Sequence, residues 1–448
     1  MNKLATFFTN LMRKYLPDPF VFTIILSLLT VLLAITVEGK TPASVAQLWG
    51  KGFWSLLAFT TQMAVILVMG YALATARVTD RLLDTIVNQV QRPHTAIIVA
   101  TLVGGVGSYL NWGFGLVVGT IVAKKLALKV KGVHYPLIIA AAYSGFTFYG
   151  LGLSSSIPVL ISTAGHPLEK SIGLIPLSQT IFSLPMLITS LILLITLPLL
   201  NAWLHPRAGQ KVVEIDPAID QAQAAPRAMG EGLIAEDTIA TKLNNSRILS
   251  LLIGLMGLGY IGLHFFVNQG TLDLNIINFI ILFAGILLLG TPAAYVARIN
   301  EGVKTIGGLI LQYPFYAGIM AVMAGSGLVN TISKVFVGVA TASTLPFWGL
   351  ISSYLINFFA PSAGGHWMIQ GPFMIDAAKA LHAPQNQTAM AVMLGNAWND
   401  LVQPFWILPA LALSKLKLRD VMGYTVIIML WVGAVYIGAV LLWGYLAH

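Results

Sequence analysis

The chain has 448 residues, of which 57% are hydrophobic and only 9% are charged, with a formal net charge of +9. A typical soluble domain is about 25% charged, so the composition excludes an ordinary water-soluble protein and favours a membrane protein. The basic residues gather at the ends of apolar runs, which indicates membrane topology and not nucleic-acid binding. The absence of cysteine excludes disulfides and thiolate chemistry.

Long apolar runs recur along the chain and predict an all-α polytopic membrane protein with about nine transmembrane helices. A helix needs about 20 apolar residues to cross a bilayer, and these runs lack the alternation of β-barrel strands. The basic lead over 1–17 predicts a cytoplasmic N-terminus, and the first run is long enough to remain as a span. The spans are expected at about 19–37, 53–76, 135–161, 173–203, 247–267, 274–289, 305–328, 388–413 and 421–446. The loop over 38–51 is expected outside, and 80–90 is expected to form an amphipathic surface helix.

A segment between the second and third spans predicts a re-entrant hairpin over 94–123. Basic residues flank it on both sides, so both ends are expected in the cytoplasm. Its centre, GGVGSYLNWGFGLVVG (104–119), is rich in helix breakers. About thirty helical residues reach only about 45 Å, so a hairpin is favoured over the alternative of two full spans. Its unpaired backbone must lie in protein or face a watery cavity.

The second half of the chain repeats the first. The stretches SYLNWGFG (108–115) and SYLINFFAPSAGG (353–365) occupy equivalent places, as do YGLGLSSSIPVLIS (149–162) and WNDLVQPFWILPAL (398–411). We therefore predict two membrane repeats, 1–203 and 247–448, joined by a cytoplasmic linker over 204–246, with a second hairpin over 346–380. The predicted topology opens the two hairpins to opposite sides and leaves the C-terminus outside. Such an inverted-topology repeat, with two hairpins and two broken helices, is typical of secondary transporters.

Polar and glycine residues at the hairpin tips and helix breaks form the predicted substrate site. Half-helix N-termini at such breaks offer free N–H donors to a carboxylate, and glycine permits close approach of the backbone. The tips lack Arg and Lys, which favours a monocarboxylate over a dicarboxylate. The two tip asparagines are equally well explained as caps of their own helices. The candidate binding residues are Asn111, Gly113, Gly115, Ser154, Ser155, Ser156, Asn357, Ser362, Gly364, Gly365, His366, Asn396 and Asn399.

Asp400 and His366 are the candidate coupling residues. An acidic residue within a span is expensive and points to a function, although a solvated position near the membrane surface would also explain Asp400. A histidine titrates near neutral pH, although a hydrogen-bonded structural role would also explain His366. No cofactor is expected. The coupling ion is a proton or Na⁺, with the backbone carbonyls of the tips, Asn111 and Asn357 as the sodium ligands.

Several long motifs resemble the bacterial short-chain fatty acid transporters, a family associated with acetoacetate and butyrate uptake. They are LPDPF (16–20), WGKGFWSLLAF (49–59), NWGFGLVVG (111–119), QYPFYAGI (312–319), PSAGGHWMIQGPF (361–373) and QPFWILPALAL (403–413). The resemblance implies the wider ion-transporter fold, a homodimer and a bacterial inner-membrane location. The first tip, NWGFG, differs from the Ser-Asn-Thr tips of sodium–carboxylate relatives, which favours protons.

The sequence therefore predicts a cation-coupled secondary transporter of short-chain monocarboxylates, not an enzyme. A membrane-embedded enzyme acting on acyl or lipid substrates is the first alternative, but no paired carboxylates within a span or HExxH motif occur. A passive anion channel is the second alternative, but the sequence has no filter repeat.

Overall fold

The computed structural model describes residues 19–207, 209–216 and 238–446, and the described chain is helical without strands. The first half contains α1 (Pro19–Thr36), α2 (Pro42–Gly52), α3 (Leu57–Ala74), α4 (Arg77–Asn88), α5 (Pro93–Leu110), α6 (Trp112–Lys129), α7 (Tyr135–Ser144), α8 (Ser156–Ile161), α9 (Glu169–Ile172) and α10 (Leu184–Trp203). The second half contains α11 (Ile239–Asn244), α12 (Arg247–Gly262), α13 (Leu274–Leu289), α14 (Pro292–Val303), α15 (Gly307–Ser326), α16 (Leu328–Val339), α17 (Leu345–Ile356), α18 (Ala363–Ala380), α19 (Gln385–Asp400), α20 (Pro404–Ser414) and α21 (Leu418–Leu446).

The order of helices repeats between the halves, and the predicted all-α class is confirmed. The pair α5/α6 forms a helical hairpin, the pair α7/α8 is a broken crossing, and α10 closes the first half. In the same order, α17/α18 form the second hairpin, α19/α20 the second broken crossing, and α21 the closing helix. The helices α1 to α4 correspond in this order to α13 to α16, and α12 is additional.

The first hairpin is longer than the sequence predicted. Each arm has 18 residues, or about 27 Å of helix. This is close to the thickness of the hydrocarbon core, about 30 Å, so the length of the arms does not separate a hairpin from two full spans. The basic residues expected after the hairpin lie instead on the last turns of α6. There Lys125 pairs with Asp80 at 2.7 Å and Asp84 at 2.5 Å, both on the amphipathic helix α4.

Helix α2 occupies the segment that the sequence predicted as a loop. Pro42 stands in the first turn, and the Thr41 side chain accepts a hydrogen bond from the Ser44 N–H. These are ordinary signals of a helix start. The loop was expected instead because the segment carries charges of both signs. The indole of Trp49 lies against Gly318 of α15, where a Cβ would approach within 2.5 Å.

Seven helical segments of the described chain are long and apolar enough to cross a membrane, against about nine spans predicted. They are Leu57–Ala74, Pro93–Leu110, Tyr135–Ile161, Leu184–Trp203, Arg247–Val267, Gly307–Ser326 and Leu418–Leu446. Phe20–Thr36 within α1 and Leu274–Leu289 are shorter apolar helical stretches. The span predicted over 173–203 contracts to α10, because Leu177–Gln179 and the residues around it form short turns.

The broken crossing Tyr135–Ile161 is enclosed by other helices: 94% of the residues in its most apolar 18-residue stretch are buried. In the corresponding stretch of Arg247–Val267 only 17% are buried. The interrupted backbone is therefore enclosed by protein, as the absence of water in a bilayer requires. The additional helix α12 leaves most of its apolar surface for lipid.

Part of the predicted linker docks on the loop before α7. Val213 accepts a hydrogen bond from the Tyr135 N–H at 2.7 Å and donates its own N–H to His134 Nδ1 at 3.0 Å. Glu214 accepts from the Gly132 N–H at 2.5 Å. Helix α11 lies in the last part of the predicted linker. Residues 208 and 217–237 of the linker, and the predicted basic lead over 1–17, lie outside the described residues.

Candidate functional site

A buried polar cluster joins the second hairpin to both broken crossings around Asp400. The Asp400 side chain is 1% exposed. Its carboxyl group accepts a hydrogen bond from Asn357 Nδ2 at 2.7 Å, and the Tyr149 hydroxyl oxygen lies 2.7 Å from Asp400 Oδ2. The Tyr143 hydroxyl donates to the Asp400 backbone carbonyl at 2.5 Å. The alternative of a solvated Asp400 therefore does not describe this conformation.

The amide groups of the cluster bond to one another. Asn357 Nδ2 also lies 3.2 Å from Asn399 Oδ1 and 3.2 Å from the Asn396 carbonyl. Asn396 Nδ2 donates to Asn357 Oδ1, and Asn396 Oδ1 lies 2.6 Å from the Tyr149 hydroxyl oxygen. The Nδ2 group of Asn399 is buried without a partner.

His366 lies at the edge of this cluster and is fully buried. Its Nε2 lies against Gln370 Oε1 and 3.3 Å from Ser353 Oγ. Its Nδ1 lies 3.3 Å from Asn396 Nδ2. A neutral ring with its proton on Nε2 satisfies both contacts, so the geometry supports the structural alternative for this residue.

The first hairpin tip is held by its own polar residues. Asn111 Oδ1 accepts from the Phe114 N–H at 2.8 Å, and Asn111 Nδ2 donates to the Ile66 carbonyl at 3.1 Å. Ser154 Oγ accepts from the Trp112 N–H at 2.8 Å. Ser155 Oγ donates to the Gly150 carbonyl at 2.8 Å. Asn111 thus caps α6, the second of its two sequence-based interpretations.

A small cavity lies where both tips and both breaks meet. Its volume is about 10 Å³, roughly the space for one water molecule. Trp112 and Trp406 lie on it with ring centroids 5.4 Å apart. None of the described residues that line it is charged: they are Met63, Trp112, Phe146, Tyr149, Ser156, Leu309, Tyr313, Ser362, Ala363 and Trp406.

The cavity carries hydrogen-bond donors that the sequence did not reveal. The indole nitrogens of Trp112 and Trp406 are buried without a partner. Ser362 makes no side-chain cap bond to the first turn of α18, and its hydroxyl lies 2.7 Å from the Tyr313 hydroxyl. The Gly365 N–H in this turn already bonds Tyr313. The two indoles and the rest of the uncapped first turn of α18 are therefore available to an anion.

The predicted glycines of the tips serve close packing in this conformation. A Cβ on Gly115 would lie 2.2 Å from Ser108 Oγ on the other arm of the hairpin. A Cβ on Gly364 would lie 2.6 Å from the Phe59 ring and 3.0 Å from the Tyr313 hydroxyl. Gly113 faces Leu67, and Gly365 faces Tyr316. Small residues are needed here because the helices approach closely, whether or not a ligand is bound.

The structure divides the predicted residues into three groups. The first lines the cavity and comprises Ser156 and Ser362. The second forms the amide cluster around Asp400 and comprises Asn357, His366, Asn396 and Asn399. The third supports the tips and comprises Asn111, Gly113, Gly115, Ser154, Ser155, Gly364 and Gly365. Tyr149 joins the first two groups and was not predicted, because its position depends on partners some 250 residues away.

Two helical hairpins and two broken crossings around one buried cavity define a polytopic membrane protein with the architecture of secondary transporters. The solved YdaH transporter of Alcanivorax borkumensis, described as having an unusual topology, has this fold: the TM-score is 0.62 at 13% identity, covering 95% of this chain and 98% of that one. The chain belongs to the short chain fatty acid transporter family, whose model matches residues 1–443.

Curated relatives align along the whole length. A protein of Escherichia coli K12 is 40% identical over 437 residues, covering 98% of both chains. A protein of Haemophilus influenzae Rd is 38% identical over 445 residues, also covering 98% of both chains. Each bears the name "Putative short-chain fatty acid transporter".

Proposed function

We propose that this protein is a secondary transporter that carries short-chain monocarboxylates, such as acetoacetate or butyrate, across the bacterial inner membrane by alternating access. The cavity carries this proposal, since it lies between the two repeats and combines an uncharged lining with unpartnered N–H donors. The family membership supports the same substrate class. The N-terminus is placed in the cytoplasm by the positive-inside rule.

The substrate carboxylate is assigned to the space between the first turn of α18 and the indoles of Trp112 and Trp406. The uncapped helix start and the positive end of the helix dipole favour an anion there. The alkyl chain is assigned to the apolar side of the cavity, formed by Met63 and Leu309. A second carboxylate would meet no cation in this lining, so a dicarboxylate would leave a charge buried without a partner.

The cavity is too small for a four-carbon acid in this conformation. Binding therefore requires the hairpin tips to separate from the broken crossings. Such separation exposes the site to one side of the membrane and agrees with alternating access around a fixed site. Among the described residues, no three His, Cys, Asp or Glu side chains form a group that could hold a metal ion.

Proton coupling through Asp400 is the second part of the proposal. The Asn357 and Tyr149 side chains that bond its carboxyl group are neutral, and burying a lone carboxylate in a membrane protein is costly. A bound proton removes that charge. His366 is a weaker candidate because its neutral ring is already satisfied. Sodium at the tips is the alternative, but the Asn111 carbonyl oxygen already accepts the Phe114 N–H.

Counterflow in liposomes tests the substrate assignment. Purified protein reconstituted into liposomes preloaded with butyrate is expected to accumulate external labelled butyrate or acetoacetate transiently. Succinate in the lumen is expected to support much weaker counterflow. A channel gives uptake without counterflow, and an enzyme gives chemical turnover without sealed vesicles. Preference for succinate would contradict the proposal, and protein-free liposomes are the control.

A further inference from the structure

A single hydroxyl hydrogen lies between two acceptors in the Asp400 cluster. The Tyr149 oxygen is 2.6 Å from Asn396 Oδ1 and 2.7 Å from Asp400 Oδ2. A tyrosine hydroxyl donates one hydrogen and can also accept. It can therefore donate to the Asn396 amide or to the Asp400 carboxylate, but not to both.

The neighbouring amides fix the orientation of these groups. Asn357 directs Nδ2 toward Asp400 Oδ1 at 2.7 Å and toward the Asn396 carbonyl at 3.2 Å. Its Oδ1 must then accept from Asn396 Nδ2, which also faces His366. Asn396 Oδ1 is left facing Tyr149 and requires a donor, because buried polar atoms are rarely left unpaired.

The hydrogen count depends on the protonation state of Asp400. If Asp400 carries a proton on Oδ2, it donates to the Tyr149 oxygen, and Tyr149 donates to Asn396. If Asp400 is ionised, the Tyr149 hydrogen turns to the carboxylate, and Asn396 Oδ1 loses its donor. In this conformation, Tyr149, Asp400 Oδ2 and Asn396 Oδ1 are therefore all hydrogen-bonded only when Asp400 is protonated.

We propose that Tyr149 couples the substrate cavity to proton binding at Asp400, by turning its hydroxyl hydrogen from Asp400 to Asn396 when the carboxylate takes up a proton. Tyr149 is the described residue that belongs both to the cluster and to the cavity lining. Its ring stacks on Phe146 at 4.6 Å, and Phe146 lies 5.7 Å from Trp406. A substrate that moves these rings therefore moves the Tyr149 hydroxyl.

The other titratable groups near Asp400 are neutral side chains with partners of their own. Tyr143 donates to the backbone carbonyl of Asp400 and not to its side chain. Tyr436 donates to the Thr147 carbonyl at 3.1 Å. His366 reaches the cluster through Asn396. The proton taken up by Asp400 comes from water on the open side and returns to water on the other side, so one proton accompanies one carboxylate anion.

Comparison of two hydroxyl deletions tests the role of Tyr149, which rests on the proposed transport function. In proteoliposomes, the ratio of accumulation driven by a pH gradient to counterflow at equal pH is expected to fall about tenfold in Tyr149→Phe, the loss expected for one strong hydrogen bond. Tyr143→Phe also removes a hydroxyl that contacts Asp400, but this hydroxyl bonds the backbone carbonyl and not the carboxyl group. This variant is expected to keep the wild-type ratio. A wild-type ratio in Tyr149→Phe would overturn the proposal. Wild-type protein that transports no monocarboxylate, or ignores the pH gradient, would refute the proposed function instead.

Infrared difference spectroscopy tests the hydrogen count without transport. The wild-type protein at neutral pH is expected to show a protonated carboxyl C=O band that is missing in Asp400→Asn. In Tyr149→Phe the band is expected to shift, because the carboxyl group loses its hydrogen-bond acceptor, whereas Tyr143→Phe should leave it in place. If wild type and Asp400→Asn show identical spectra in this region, Asp400 is ionised and the proposal is wrong.

Discussion

Two tryptophans at the cavity combine an apolar ring with an unused donor. Trp112 begins α6 and Trp406 lies in the first turn of α20, so each belongs to a different repeat. An unpaired buried donor costs about 1–3 kcal/mol. A bound carboxylate would recover that cost.

Replacement of these indoles by phenylalanine tests their role as donors. Trp112→Phe and Trp406→Phe keep an aromatic ring but remove the N–H, and each is expected to raise the KM for butyrate about tenfold, as for the loss of a hydrogen bond to a charged group. Trp49→Phe is the matched control, since the Trp49 nitrogen is also buried without a partner but does not line the cavity. An unchanged KM in both cavity variants would contradict the assigned carboxylate position.

A histidine outside the membrane spans holds the docked part of the linker. Burial, followed by repulsion from neighbouring His205, lowers the pKa of His134 from 6.5 to about 4. The neutral ring accepts the Val213 N–H through Nδ1, and protonation removes that acceptor. Because the folded pKa lies below the ordinary value, the stabilisation is complete above about pH 6.5 and is lost as the pH falls toward 4.

Amide hydrogen exchange tests this docking. The Val213 amide is expected to exchange slowly at neutral pH and progressively faster, after correction for intrinsic rates, as the pH falls from 6.5 toward 4. His134→Gln should remove most of this pH dependence, because its side chain does not titrate. His264→Gln, which changes a histidine far from the linker, serves as the control. Protection of Val213 that ignores pH in the wild type would be inconsistent with the prediction.

At the scale of helices, the amphipathic helix that precedes each hairpin occupies an equivalent place in the two halves. In the first half, α4 is tied to the hairpin arm α6 through the bridges from Lys125 to Asp80 and Asp84. In the second half, α16 precedes α17 in the same order. If the repeats are inverted, these two helices lie on opposite sides of the membrane.

Cysteine labelling tests the inverted arrangement in this cysteine-free chain. Single cysteines at Lys129, at the end of α6, and at Lys334, on α16, are both at exposed positions. In oriented vesicles, a membrane-impermeant thiol reagent is expected to label them from opposite sides. A cysteine at Lys125 should share the sidedness of Lys129. Labelling of positions 129 and 334 from the same side would exclude the inverted repeat.

At the scale of the whole molecule, the uptake of an anion opposes the membrane potential. Moving one negative charge inward against an interior-negative potential costs about 2.3 kcal/mol per 100 mV. One proton bound at Asp400 would cancel the charge of one carboxylate and make the translocated complex neutral. The homodimer implied by the sequence resemblance stays a prediction.

An imposed pH gradient distinguishes the two coupling ions. Uptake of butyrate into proteoliposomes is expected to follow the pH gradient in sodium-free buffer, and Asp400→Asn is expected to abolish that dependence while exchange of substrate persists. His366→Gln is expected to affect the gradient response less, because the neutral histidine is already hydrogen-bonded. Strict dependence on sodium, with no response to pH, would move the coupling site to Asn111 and Asn357.

The sequence alone determined the membrane class, the positions of both hairpins and both broken crossings, and the family. These features depend on local signals: the length of apolar runs, clusters of Gly and Pro at the breaks, and basic residues at the ends of spans. Local charge also misled the prediction at α2, where a capped helix packs on α15.

The tertiary structure decided which polar residues meet. Tyr149 reaches Asp400 across 251 positions of the chain, and Trp112 meets Trp406 although the two belong to different repeats. No periodicity or spacing records such contacts, because they arise only when the two halves pack against each other. The same packing makes Asn111 the N-cap of α6 and buries Asp400 in a polar cluster. Burial and hydrogen-bond partners depend on neighbours that are distant in sequence.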